Sequence, residues 1–170
     1  MKAVKLSILM LCTSFLMQAC SNGKIKDTTS PDYLIFGSYA GECVGDCATL
    51  FKVEGQKLYI DTIEYPRGVN SRGKPNPVEI TFSQTALPQE YHDIAQKLLN
   101  NFPDELHELE SQRFGCPDCD DRGAIYLEIN FQGTRKIWTI DTSEQFSEPS
   151  FMVSYRYDLA EAFKDISAIQ

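Results

Sequence analysis

Apolar side chains at Tyr91, Ile94, Ala95, Leu98, Leu99 and Phe102 recur every three or four residues in one continuous stripe. That is the period of a helix with a single buried face. Pro88 suits its first turn, where a missing N–H costs nothing, and Pro103 disfavours helical geometry at Phe102 and so ends the element. Residues 103–110 predict a short helical restart. Elsewhere the period is two. From Ala124 to Phe131, Ile125, Leu127, Ile129 and Phe131 face one way, while Tyr126, Glu128 and Asn130 face the other. After Gln132-Gly133 the stretch Arg135–Asp141 predicts the partner strand of a hairpin. Tyr33–Ala40 is rich in aromatic and branched residues and reads as a strand. Leu50–Val53 and Lys57–Ile63 flank Glu54-Gly55-Gln56 and read as a second hairpin, and Val78–Phe82 reads as a further short strand. A closing helix is expected from about Tyr155, carried by Leu159, Ala162, Phe163 and Ile166. Strands, helix, hairpin, helix is an α+β order. It predicts an antiparallel sheet of about five to six strands, packed on one face by one long helix and a C-terminal helix.

The beginning of the chain follows neither period. Lys2 and Lys5 precede twelve mostly apolar residues, Leu6–Met17. A bilayer span needs about 20 apolar residues, so the stretch reads as a cleavable signal peptide, residues 1–19. Its end, Leu16-Met17-Gln18-Ala19-Cys20, resembles the bacterial lipobox, with Gln18 where a small residue is usual. The resemblance implies lipidation at Cys20 and attachment to a membrane through the lipid. Ser21, in place of the Asp that resembles an inner-membrane retention signal, points to the outer membrane. Two or more acyl chains anchor stably, at about 0.8 kcal/mol per buried CH₂. Residues 20–32 are polar and rich in Ser, Thr, Gly and Pro, as a tether would be. Residues 33–170 are expected to form a single domain.

Charge narrows the partners. Of 16 basic side chains, removal of Lys2 and Lys5 leaves 14 against 24 acidic ones, a net of −10. Such acidity disfavours nucleic acid as a partner.

Six cysteines punctuate the chain. Cys12 leaves with the signal peptide and Cys20 carries lipid, so Cys43, Cys47, Cys116 and Cys119 remain. In an exported domain two structural disulfides are the first reading, with the pairing open. Bonds between the two motifs would each close a loop of roughly 70 residues, contributing about 4 kcal/mol in the chain-entropy model; local bonds contribute far less. The alternative is a Cys₄ zinc site, whose spacing fits but whose thiolates an oxidising compartment opposes. A third reading is redox chemistry at Cys116-Pro117-Asp118-Cys119. Against it, the motif runs into a strand rather than a helix N-terminus, and the acidic residues around it raise a thiol's pKa. Glu42, Asp46, Asp118, Asp120 and Asp121 invite a calcium reading. Arg122 and Ile129 occupy ligand positions of the EF-hand pattern, so these carboxylates are better explained as turn caps.

No constellation points to catalysis. His92 lies beside the apolar stripe and His107 in the short restart, both expected on the surface, and neither belongs to an HExxH. No nucleophile elbow or phosphate-cradling glycine loop is present. Trp138 alternates with its neighbours as a sheet residue. Residues 66–77 hold three prolines, two glycines and the cations Arg67, Arg72 and Lys74, making this loop the candidate binding element. From Val78 to Ile166 the layout resembles the emfourin family of small bacterial metalloprotease inhibitors. The resemblance rests on Val78–Phe82, Leu87-Pro88 with the helix to Phe102, the acidic turn Asp118–Gly123, the hairpin Ile125–Asp141 and the closing helix. The cysteines and the anchor depart from that pattern, so no functional residue is carried across. The chain is also similar to exported bacterial lipoproteins with Gly-Glu-Cys and Cys-x-x-Cys-Asp stretches, here Gly41–Cys43 and Cys116–Asp120. Together these readings lead to an expected non-enzymatic envelope lipoprotein that binds a protein or peptide.

Overall fold

The fold was read from a computed structural model, which describes residues 31–40, 47–62, 80–119, 122–143 and 148–168. In chain order the elements are β1 (Tyr33–Tyr39), β2 (Ala48–Glu54), β3 (Lys57–Ile60), α1 (Gln89–Asn100), α2 (Asp104–Glu108), β4 (Gln112–Phe114), β5 (Ala124–Phe131), β6 (Thr134–Asp141) and α3 (Ser150–Ser167). The strands form one six-stranded sheet in the order β3-β2-β1-β5-β6-β4. The architecture is α+β, with α1 and α3 packed on the sheet.

Alternation decides which face is covered. Leu34 and Phe36 on β1, Phe51 and Val53 on β2, Ile125, Leu127 and Ile129 on β5, and Trp138 and Ile140 on β6 share one buried cluster. Tyr91, Ala95 and Leu98 of α1 and Met152, Tyr155, Leu159, Ala162 and Ile166 of α3 complete it. Burying each large apolar side chain contributes about 1.5–3 kcal/mol, which makes this layer the main source of stability. Two polar atoms inside it are satisfied: the Tyr155 hydroxyl donates to the Leu98 carbonyl at 3.1 Å, and the Trp138 indole N–H donates to the Glu110 carbonyl at 3.1 Å.

Tight turns close both hairpins. Gln132 and Gly133 both have positive φ, 52° and 82°. That is the geometry of a type I′ turn, whose twist matches the strands it joins. The Asn130 carboxamide steadies it by accepting the Gly133 N–H at 3.0 Å.

Four features differ from expectation. β4 went unforeseen, and it pairs with β6 in parallel, so the sheet is only mostly antiparallel. Three residues reading Gln-Arg-Phe carry too little alternation to announce a strand. The expected strand ending at Phe82 is, within the described residues, an isolated bridge between Asp61 and Phe82. α3 begins at Ser150, five residues before the expected start, because Phe151 and Met152 extend its apolar stripe. Pro88 sits at the cap of α1 rather than inside its first turn. Among the described residues no helix is long and apolar enough to cross a membrane.

Candidate functional site

Strand direction sorts the connections between two ends of the sheet. β1 starts at the base, and there the turns after β2 and β5 reverse the chain within two residues. The opposite end, the rim, takes the C-termini of β1, β3, β4 and β6 and the N-termini of β2 and β5. Connections 40–47 and 115–123 therefore leave and re-enter the sheet at the rim, and 61–88 and 142–149 leave it there for α1 and α3; 61–88 then returns along β3, with Leu87 N–H on the Leu58 carbonyl at 2.8 Å, while 101–111 enters β4 from the base. Backbone bonds hold their feet, with Ala40 N–H on the Cys47 carbonyl at 2.8 Å and Thr62 N–H on the Thr81 carbonyl at 2.9 Å.

Cys47, Cys116 and Cys119 lie on this rim. Cys116 and Cys119 are joined to each other, with Cα atoms 5.5 Å apart. Cys47 is also disulfide-bonded, and with Cys116 and Cys119 paired its bond does not cross to the second motif. The long stabilising loops that inter-motif pairing would close are therefore absent. A sulfur held in a disulfide is no thiolate, so this pairing leaves Cys116 and Cys119 without the ligand form that zinc requires. Among the described residues, no three His, Cys, Asp or Glu side chains gather as a metal site would need. Cys47 and the Cys116–Cys119 pair nonetheless share one end of the sheet, where Tyr39, Ala48 and Ala124 pack together. Gly123, at φ +72°, passes so close to β1 that a Cβ there would lie 2.9 Å from the Tyr39 carbonyl oxygen.

The cysteine turn is stitched to its surroundings by hydrogen bonds. The Asp118 N–H donates to the Gly123 carbonyl at 3.2 Å, and the Asp118 carboxylate accepts the Gly123 N–H at 3.1 Å. Asp118 thus caps a turn, as the short acidic residues were expected to. Arg113 donates to the Pro117 carbonyl at 3.1 Å, and the Cys116 N–H donates to the Asp141 carboxylate at 2.8 Å. Asp141 accepts a second N–H, that of Ser143, at 2.7 Å. Arg156 on α3 reaches the same spot and donates to the Ser143 carbonyl at 2.9 Å. Its Nε lies 3.4 Å from a carboxylate oxygen of Glu148, whose side chain is 1% exposed. Burial pushes the Glu148 carboxyl above the usual range; Arg156 draws it back and Asp141 pushes it further up.

A second charged cluster lies on the sheet face opposite the helices. Glu128 is 1% exposed and accepts from four donors: Arg135 Nε at 2.6 Å and Nη2 at 2.7 Å, Tyr33 at 2.9 Å and Tyr126 at 2.5 Å. Burial and the neighbouring carboxylate push the Tyr33 hydroxyl up to about 12 and the Tyr126 hydroxyl higher still. The hydrogen bonds to Glu128 raise Arg135 against the opposing cost of its burial. Both carboxylate oxygens are fully used, which makes this cluster a fastening across β1, β5 and β6.

Several sequence-derived candidates fall elsewhere. Cys20, Cys43, Arg67, Arg72 and Lys74 lie outside the described residues, although the feet of the loop bearing the three cations are held at the rim by the Asp61–Phe82 bridge. His92 is not a surface residue: it is 5% exposed, with ring nitrogens 3.0 Å from Gln89 Nε2 and 3.4 Å from the Gly55 carbonyl. It couples α1 to the β2–β3 turn, a contact no helical period can foretell. His107 packs between Phe102 and Phe131, at centroid distances of 5.0 and 4.7 Å. Asp141, Glu148 and Arg156 escaped notice because residues so far apart in sequence carry no shared motif. Between α1 and α3 lies a cleft of about 60 Å³ bordered by Lys97, Asn101, Asp158, Glu161 and Asp165. It is far below the roughly 300 Å³ at which small-molecule pockets begin. No protein-family model, curated protein or solved structure matches the chain.

Proposed function

We propose that this chain is a cell-envelope lipoprotein, lipidated at Cys20 and tethered by residues 20–32, whose domain binds another protein or a peptide. The observation that carries the reading is the sorting of connections. Residues 20–32 precede β1, whose start lies at the base, while connections 40–47 and 115–123, and the ends from which 61–88 and 142–149 depart, lie at the rim. A base held toward a membrane leaves that rim facing outward, the arrangement of a scaffold that offers loops to a partner. The outer membrane suits the residue after Cys20. Inhibition of a protease is one specific form of such binding, suggested by the emfourin-like layout.

A photo-reactive residue placed at Arg67 or Arg72 in the native envelope tests this. The expected result is crosslinking to a discrete protein, with none from Gln132 in the base turn. Equal capture from both ends, or capture from neither, would discard the binding surface. Intact mass measurement tests the anchor. The expected chain begins at Cys20 with acyl chains, and an unmodified Cys20 or a retained Met1 rejects it.

A further inference from the structure

We propose that Cys116–Cys119 is a thiol-exchange site, a disulfide that accepts electrons from an exported protein dithiol and passes them to a small-molecule disulfide of the glutathione class, rather than a staple of the fold. The inference rests on the proposed export of the chain but not on what the rim binds.

Three observations carry it. The bond spans a sequence separation of only 3, so its removal frees very little chain. The turn around it is held without it. Cys116 N–H on Asp141, the paired Asp118 and Gly123 bonds, Arg113 on the Pro117 carbonyl and Cys119 N–H on the Cys116 carbonyl at 3.1 Å all survive loss of the S–S bond. These bonds keep the two cysteines facing each other, so a reduced pair stays positioned to close again. Cys116 and Cys119 are also partly exposed, while Pro117 between them is buried, so the pair lies at the surface rather than in the core.

The exchange balances in two steps. A thiolate of the donor attacks one of the two sulfurs and bonds to it. The Cys116–Cys119 bond breaks, and the displaced sulfur leaves as a thiolate and takes up a proton. The donor's second thiol then attacks the mixed disulfide, closes the donor's own disulfide and releases the remaining cysteine as a thiol. Two electrons and two protons have moved from donor to site. The donor leaves with a disulfide and the site as a dithiol; a small-molecule disulfide then re-forms the Cys116–Cys119 bond by the same two exchanges and leaves as two thiols.

The test uses the full-length oxidised protein. It is titrated with dithiothreitol, free thiols are capped with a maleimide, capped peptides are assigned by mass spectrometry, and circular dichroism follows the fold. Cys116 and Cys119 are expected to be capped together while the fold signal stays native, at about tenfold less reductant than unfolds the protein. Oxidised glutathione should then restore the bond. Capping that appears only with unfolding, or a pair that glutathione cannot re-close, overturns the proposal. The double variant Cys116→Ser/Cys119→Ser is a second check: it should fold and melt within about 4 °C of the native protein. A larger fall, or failure to fold, identifies a staple and overturns it too.

Discussion

Glu128 shows how a charge can sit in the middle of a sheet. Alternation correctly placed Tyr126, Glu128 and Asn130 on the face away from the apolar cluster. It says which face a residue takes, not whether that face is open, and Glu128 is closed off from solvent. The four donors that satisfy it come from β1, β5 and β6, and no local pattern announces a set assembled from three strands. Removing one partner of a buried ion pair costs about 3–5 kcal/mol, because the other charge is stranded. Arg135 is about one-third open to water, which softens the loss. Arg135→Ala should therefore destabilise the domain by roughly 3 kcal/mol, near the lower bound of that range. Urea denaturation of the two proteins measures it. A change below about 1 kcal/mol, the scale of an exposed pair, would show that water already screens Glu128.

At the scale of elements, what repeats was legible and what is brief was not. α1, the β5–β6 hairpin and β1 each announce themselves through several residues at one period. β4 has three residues and exists because β6 offers it an edge, so its cause lies in another part of the chain. Gly37 belongs to the same class. Within Tyr33–Ala40 it reads as an ordinary strand position, yet the backbone of β2 leaves no room there for a Cβ. A Cβ there would fall on the Thr49 carbonyl oxygen and lie 2.9 Å from the Leu50 Cα. Both are backbone atoms of the paired strand, which can yield only by shifting the ladder. Overpacking in a core costs about 1–3 kcal/mol, and a clash with backbone belongs at or above the top of that range. Gly37→Ala should lower the denaturation midpoint accordingly, while Gly55→Ala, where a Cβ would meet nothing within 4 Å, carries only the strain of its positive φ. Equal losses from the two substitutions would mean that the sheet relaxes around residue 37.

For the whole molecule the decisive fact is that the first strand is an inner one. β1 pairs with β2 on one side and β5 on the other. The Tyr33 hydroxyl meets Glu128 across a separation of 95 residues. The sheet therefore cannot close until most of the domain is available, and strand pairing ties its distant parts without a disulfide to Cys116 or Cys119 from elsewhere in the chain. The cysteine spacing could not reveal this: it allowed pairing between motifs, and only the sheet shows that distant parts of the chain are already tied through strand pairing. Non-local pairing of this kind folds slowly, on the order of milliseconds to seconds. Among the described residues the six strands begin at Tyr33, so a chain beginning at Pro31 should fold to one cooperative unit with an unchanged melting temperature, whereas one beginning at residue 41 loses the strand that joins β2–β3 to β5–β6–β4. Thermal melts of both chains, with stopped-flow refolding of the longer, decide the matter. A lowered or two-step melt of the chain beginning at Pro31 would show that the sheet depends on residues before it; a cooperative melt of the chain beginning at residue 41 would show that β1 is not what unites the two halves.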